Sequence, residues 1–186
     1  MIKDVTYLDD YEVINIYGGL LNFKDTHIIL PYIKELFMSR IPNDIKVNVP
    51  TKIYTTRKQS AQFHQGFLRR HMLNENEFID KCKDITYITL EDYSFKQKIQ
   101  LFMNIDLIVS SNSSSFSFLP FCKKDVIIIE IINKGTRGFT FNHWTDMTNK
   151  LGYNNYNNYK NITEDKDGNY SIDVNQFYEY YITTFS

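Results

Sequence analysis
The chain has 186 residues, 42% hydrophobic and 16% aromatic, which suits one folded domain and excludes a chain disordered by composition. Its formal net charge of -1, with no long run of one sign, excludes a nucleic-acid or anionic-membrane binder that works through bulk charge. The two cysteines, Cys82 and Cys122, form no CxxC pair, so neither a zinc site nor a disulfide framework is indicated. They read as two reduced, buried thiols. No run approaches the roughly 20 apolar residues of a membrane-spanning helix. The start, Met1-Ile-Lys-Asp-Val-Thr6, lacks the apolar stretch of a signal peptide. The expected location is therefore the cytoplasm.

In chain order, Glu12 to Tyr17 reads as a short strand ended by Gly18-Gly19. Asp25 or Thr26 is placed to cap a helix from His27 to about Arg40, whose Ile29, Ile33, Leu36 and Phe37 recur at helical spacing. Lys52 to Thr56 is β-branched and aromatic, hence a strand, and Lys58 to Gly66 is a polar loop. Asn74 opens a helix with Phe78, Ile79 and Cys82 on its apolar face and Glu77 completing a capping pattern. Ile85 to Leu90 is a strand, and Ser94 to Asn104 a helix with Phe95, Ile99, Phe102 and Met103 inward. Leu107 to Val109 and Val126 to Glu130 are short continuous apolar runs, as in strands buried on both faces. Phe139 to Leu151 predicts a helix ended by Gly152, and Asn175 to Ile182 a last one after Asp173. Tyr153 to Tyr159, built of Tyr and Asn only, reads as a solvated connector. Strands and helices alternate from residue 50 to 150. The predicted fold is α/β and Rossmann-like, a mostly parallel sheet with helices on both faces.

In such a sheet, ligands sit outside the carboxyl ends of the strands. The run Ser110-Ser-Asn-Ser-Ser-Ser115 begins at one such end. A helix starting near Ser114 would aim backbone N–H groups at an anion, with serine hydroxyls as further donors. The competing reading is that Asn112 or Ser113 merely caps a helix. Arg57 follows another strand, and Arg70 lies four residues before Asn74. Two guanidinium groups at one crevice edge suit a diphosphate, which arginine binds bidentately. The alternative is two solvated surface arginines.

The ordered set of motifs "IYTTR", "RHMLNENEF", "LEDYSFKQKIQLFMNIDLIVSSNSSSFSFLPF", "VIIIEI" and "WTDMTNKLGYNNY" resembles glycosyltransferase family 61 over residues 27 to 160. The matching positions are Arg57, Arg70, Asn74, Glu75, Ser94, Phe95, Gln97, Phe121, Glu130, Leu151 and Gly152. The resemblance implies the nucleotide-sugar half of a GT-B enzyme, with two Rossmann-like domains and the donor in the C-terminal one. It implies donor contacts from Arg57, Arg70 and the loop Asn112, Ser113, Ser114 and Ser115. Asn74, Glu75, Gln97 and Glu130 would support that loop region. Residues 1–24 would be a remnant of, or link to, an acceptor domain, and 25–186 the donor domain.

The chain departs from the family where His-Gly-Ala reads Asn112-Ser113-Ser114, and a following Asn reads Phe118. Serine for glycine excludes an easy positive φ, and asparagine for histidine removes a general acid or base. The acceptor half expected before residue 25 is largely absent, and no residue is singled out as the base that deprotonates an acceptor hydroxyl. Elsewhere, Asp165 to Asp173 resembles the start of an EF-hand loop, but Tyr170 stands where Gly is needed and Gln176 where Glu is needed. It reads as an Asp-Gly turn followed by a cap at Asp173. The four histidines, His27, His64, His71 and His143, have no ligand spacing. Asn112, Asn161 and Asn169 each begin a glycosylation sequon, which matters only in a secreted chain.

These observations lead to an expected glycosyltransferase, or its donor-binding half. It would move a sugar from a UDP-type donor to a glycan hydroxyl with inversion. It would need no cofactor and no metal, since no Asp-x-Asp was read at a strand end. The expected partners are a nucleotide sugar, a glycan or glycosylated acceptor, and a separate acceptor domain or second copy. Nucleic acid is not among them. The alternatives are an inactive relic that binds nucleotide sugar, glycan or a partner, and a Rossmann-like domain of unrelated role.

Overall fold
The computed structural model describes residues 34–35, 49–57, 71–111, 113–132 and 143–185. Five short strands, β1 (Lys52–Thr55), β2 (Thr86–Ile88), β3 (Leu107–Ser111), β4 (Ile127–Ile131) and β5 (Tyr156–Tyr159), pair in parallel in the order β2-β1-β3-β4-β5. Ile53 stands beside Ile108, and Ile108 beside Ile128. Every residue of β3 is buried, because both sheet faces are covered. That is why its sequence is a continuous apolar run and not an alternating one.

The chain passes from β1 to β2 through α1 (Glu75–Lys81), and from β2 to β3 through a 3-10 turn (Leu90–Asp92) and α2 (Phe95–Asn104). A 3-10 helix (Ser114–Phe121) joins β3 to β4, and α3 (His143–Lys150) lies between β4 and β5. On one face, Ile53, Ile108 and Ile128 pack with Phe95, Ile99 and Phe102 of α2 and with Phe116 and Leu119. On the other, Tyr54, Val109 and Ile129 pack with Phe78 of α1 and with Phe177 and Tyr181 of α4 (Val174–Phe185). Alternate strand residues thus serve opposite faces. Each fully buried aromatic or isoleucine contributes roughly 1.5–3 kcal/mol of transfer free energy.

The doubly covered parallel sheet is the α/β, Rossmann-like architecture read from the sequence. The segment 153–159 is a correction. It is not a solvated connector: Tyr156–Tyr159 is β5, and Tyr153 and Tyr159 are buried. Tyrosine suits a half-buried pleated surface, and the repeated asparagines hid this pattern. The Tyr153 hydroxyl donates to the carbonyls of Leu119 (2.5 Å) and Cys122 (3.2 Å), and the Tyr156 hydroxyl donates to the Glu130 carboxylate.

The predicted helices at 94–104 and after Asp173 are present, the latter three residues longer at its end than expected. The Gln176 N–H donates to Asp173 Oδ1 at 3.0 Å, the expected cap. Gly152, at φ 74, ends α3 in the left-handed region. An antiparallel hairpin, β6 (Ile162–Glu164) and β7 (Tyr170–Ile172), carries the Asp-Gly turn. There Asp165 Oδ1 accepts from the N–H groups of Asp167 (2.8 Å) and Asn169 (2.9 Å). This corrects the reading that no Asp-x-Asp stands at a strand end: Asp165-Lys-Asp167 directly follows β6, with the first carboxylate committed to the turn.

Both cysteines are buried and free. Burial, helped by the charge of Asp84, pushes the Cys82 thiol up to about 12, and burial raises Cys122 as well. No helix among the described residues is long and apolar enough to cross a membrane. Residues 34 and 35 are helical. The rest of the expected 27–40 helix, the 12–17 strand, the 58–66 loop and the whole of 1–24 lie outside the described residues.

Candidate functional site
The next described helix after β1, α1, packs on the face of Phe78 and Phe177. The neighbouring strand β3 is followed by the 3-10 helix, on the opposite face. The elements that follow the two neighbouring strands lie on opposite faces, and a crevice opens at the switch point of the 2-1-3-4-5 strand order. A cavity of about 130 Å³ occupies it. Thr55, Thr56 and Arg57 line it from the end of β1, and Ser113, Ser114, Ser115 and Phe118 from beyond β3. Leu90 and Glu91 of the 3-10 turn and Lys98 of α2 close it.

The hydroxyls at its floor form one network. Thr55 Oγ1 donates to Ser110 Oγ at 2.6 Å, and Ser110 Oγ donates to the Ser111 carbonyl at 2.9 Å. Ser110 Oγ also lies 3.1 Å from both Ser113 Oγ and Ser115 Oγ, which are 2.5 Å from each other. Ser113 caps the 3-10 helix by accepting from the Ser115 N–H at 3.2 Å. Ser113 thus makes the expected cap while also lining the cavity. Ser113 sits at φ -149 and ψ 163, extended backbone that any residue adopts, so the position matching the family's glycine needs no left-handed conformation here.

Arg57 borders a second buried polar group. Glu75, 2% exposed, accepts from the Tyr54 hydroxyl at 2.9 Å and the Thr56 hydroxyl at 2.8 Å. This bonds the first turn of α1 to the end of β1. The Tyr170 phenol is raised by burial, with Glu75 raising it and Arg57 lowering it. Arg57 and Glu75 thus act on the same buried ring. Burial, then the charges of Tyr170 and Glu75, also hold Tyr54 well above its ordinary value.

The structure brings Arg57, Ser113, Ser114 and Ser115 to one cavity. Arg70 and Asn112 lie outside the described residues. Asn74, Glu75, Gln97 and Glu130 are not among the cavity's lining. Asn74 binds β7, donating to the Ile172 carbonyl at 2.9 Å and accepting from the Ile172 N–H at 3.2 Å. Gln97 closes a capping box with Ser94. Glu130 is 1% exposed and stands beside Ser110 in the sheet register, so a buried polar row, Thr55-Ser110-Glu130, crosses the carboxyl edge. Among the described residues no group of three or more His, Cys, Asp or Glu is placed to hold a metal ion.

Sequence reasoning missed Thr55, Thr56, Glu91 and Lys98. The signal for Lys98 was available: a helix that follows a parallel strand begins at the carboxyl edge, and Lys98 lies in the first turns of α2, one residue before inward Ile99.

Comparison with curated proteins returned no match. A family model described as Glycosyltransferase 61 matches residues 21–129. The match runs through β1, α1, β2, α2, β3 and the 3-10 helix into β4, so it contains every described lining residue of the cavity. It covers more than half of the sequence, and the chain belongs to glycosyltransferase family 61.

Proposed function
We propose that this chain is the donor-binding half of an inverting glycosyltransferase of GT-B type, which takes a UDP-type nucleotide sugar and serves a glycan hydroxyl. The observation that carries the reading is the convergence of Arg57 and the Ser113–Ser115 hydroxyls on one cavity at the carboxyl ends of β1 and β3. Arg57 would neutralise the charge that builds on the leaving diphosphate, with Arg70 as its expected partner. The hydroxyls would turn donors toward phosphate oxygens. The reading includes no metal or other cofactor. Among the described lining residues Glu91 is the one carboxylate, where a metal bridge to a diphosphate ordinarily uses more. The acceptor and its base would come from a separate domain or a second copy. Two buried, free thiols support a reducing, cytoplasmic setting.

Calorimetric titration of UDP and UDP-N-acetylglucosamine into the chain tests this, beside Arg57→Ala, Arg70→Ala and Ser113→Ala. The expected result is saturable binding, weakened about tenfold or more in the arginine variants. No nucleotide binding by a folded chain would overturn the reading. The second reading, an inactive interaction module, is favoured by one observation: the serine hydroxyls are already bonded to each other. It predicts UDP-sugar binding without turnover even when acceptor glycans and an acceptor domain are both supplied.

A further inference from the structure
We infer that Lys98 is a second phosphate-binding cation of the crevice, and that with Arg57 it selects a ligand carrying two linked anionic groups. The inference deepens the donor-site reading and rests on it. Lys98 is half-buried and lines the cavity. Its ammonium group takes no part in the hydrogen bonds and ion pairs that the described residues form, unlike those of Lys52 and Lys123, which pair with Asp84 and Asp106 at 2.9 and 2.8 Å. Glu91 lines the same cavity yet does not pair with it.

Its position also runs against local helix preference. The first turn of α2 holds no acid, and Lys96 and Lys98 stand near the helix end where the backbone dipole favours negative charge. That arrangement does nothing for the helix, but its potential adds to that of the dipole at the carboxyl edge, where an anion would sit. The two cations reach the cavity from different supports. Arg57 extends from the end of β1 and acts on Tyr170, which belongs to the cluster on the α1 and α4 face. Lys98 comes from α2, which covers the other face. A diphosphate offers each cation a phosphate group of its own, whereas a single phosphate must be shared between them. Glu91 opposes any anion here, so its charge limits affinity.

The test uses inorganic pyrophosphate, inorganic phosphate and UDP as calorimetric probes of the full chain, with Lys98→Gln, Lys98→Arg and Glu91→Gln variants. Glutamine keeps the helix propensity at a half-buried site, and circular dichroism checks the fold. The expected result is that Lys98→Gln weakens pyrophosphate and UDP about tenfold and phosphate much less. Lys98→Arg should restore most of the loss, and Glu91→Gln should tighten pyrophosphate. Equal pyrophosphate binding by wild type and Lys98→Gln overturns the inference, while UDP binding that still depends on Arg57 leaves the donor reading standing. Pyrophosphate binding that depends on Lys98, without any UDP binding, keeps the inference and removes the nucleotide. Binding of none of the probes removes both.

Discussion

At the scale of single residues, the end of β1 at the crevice rests on a buried carboxylate that is not part of the cavity's lining. Glu75 accepts from two hydroxyls, Tyr54 and Thr56, that flank the end of β1 just before Arg57. Replacing it with alanine would leave both donors buried without this acceptor. The expected cost is about 1–3 kcal/mol per orphaned hydroxyl, seen as a lower thermal midpoint. Glu75→Gln keeps one acceptor oxygen and should lose less. An unchanged midpoint in Glu75→Ala would show that the hydroxyls find other acceptors. Glu75 was noticed in the sequence because it follows Asn74 in a motif, but its partners lie 19 and 21 residues away. No local pattern reports such pairings.

Among the elements, α2 is the one whose start matters most, because its first turns carry Lys98. The Ser94 N–H donates to Gln97 Oε1 at 2.8 Å, and the Gln97 N–H donates to Ser94 Oγ at 3.4 Å. Ser94→Ala should cost about 1 kcal/mol, read as a lower urea midpoint with an unchanged denaturant slope. A midpoint equal to wild type would mean that packing of Phe95 and Ile99 alone fixes the helix start. This helix was legible because its period of 3.6 is strong. β3 and β4 were legible because doubly covered strands are uniformly apolar. β5 was not. Of its four residues only Tyr159 is buried, against the Phe177 and Tyr180 rings of α4, and composition alone could not show those partners.

Across the whole molecule, a clamp at the amino edge of the sheet balances the crevice at the carboxyl edge. Lys52 Nζ donates to Asp84 Oδ2 (2.9 Å) and to the Tyr181 hydroxyl (2.8 Å), and Tyr181 also donates to Asp84. Burial alone would raise the Asp84 carboxyl, but the hydrogen bonds from Tyr181 and Lys52 hold it below the ordinary carboxylate value. Burial would lower Lys52, but its bonds to Tyr181 and Asp84 win and raise it. A depressed acid stabilises the fold above its unfolded pKa, about 3.9, and loses that contribution as pH falls through the folded value. A raised lysine contributes below about 10.4 and loses it as pH rises further. Thermal midpoints should therefore be nearly flat around neutrality and fall below about pH 4, with a shallower acid limb in Asp84→Asn. Identical acid limbs in the two proteins would assign the acid sensitivity elsewhere. The sheet and its strand-end loops could be read from the sequence, since Arg57 and the serine run sit where apolar segments stop. Which face of the crevice receives Lys98 or Glu91 depends on how helices wrap the sheet, and no window of sequence encodes that.

The serine network has a further consequence for how the crevice behaves between encounters. Its protons are not all fixed in direction: the Ser110 proton goes to the Ser111 carbonyl, but between Ser113 and Ser115 either oxygen can be the donor. These three hydroxyls are therefore already satisfied by one another. A guest must persuade these groups to let go of one another before they turn outward, and on departure they can close ranks again. Each such exchange gives up one hydrogen bond before it gains another, so the network that ties the strand ends together also weakens their grip on any guest.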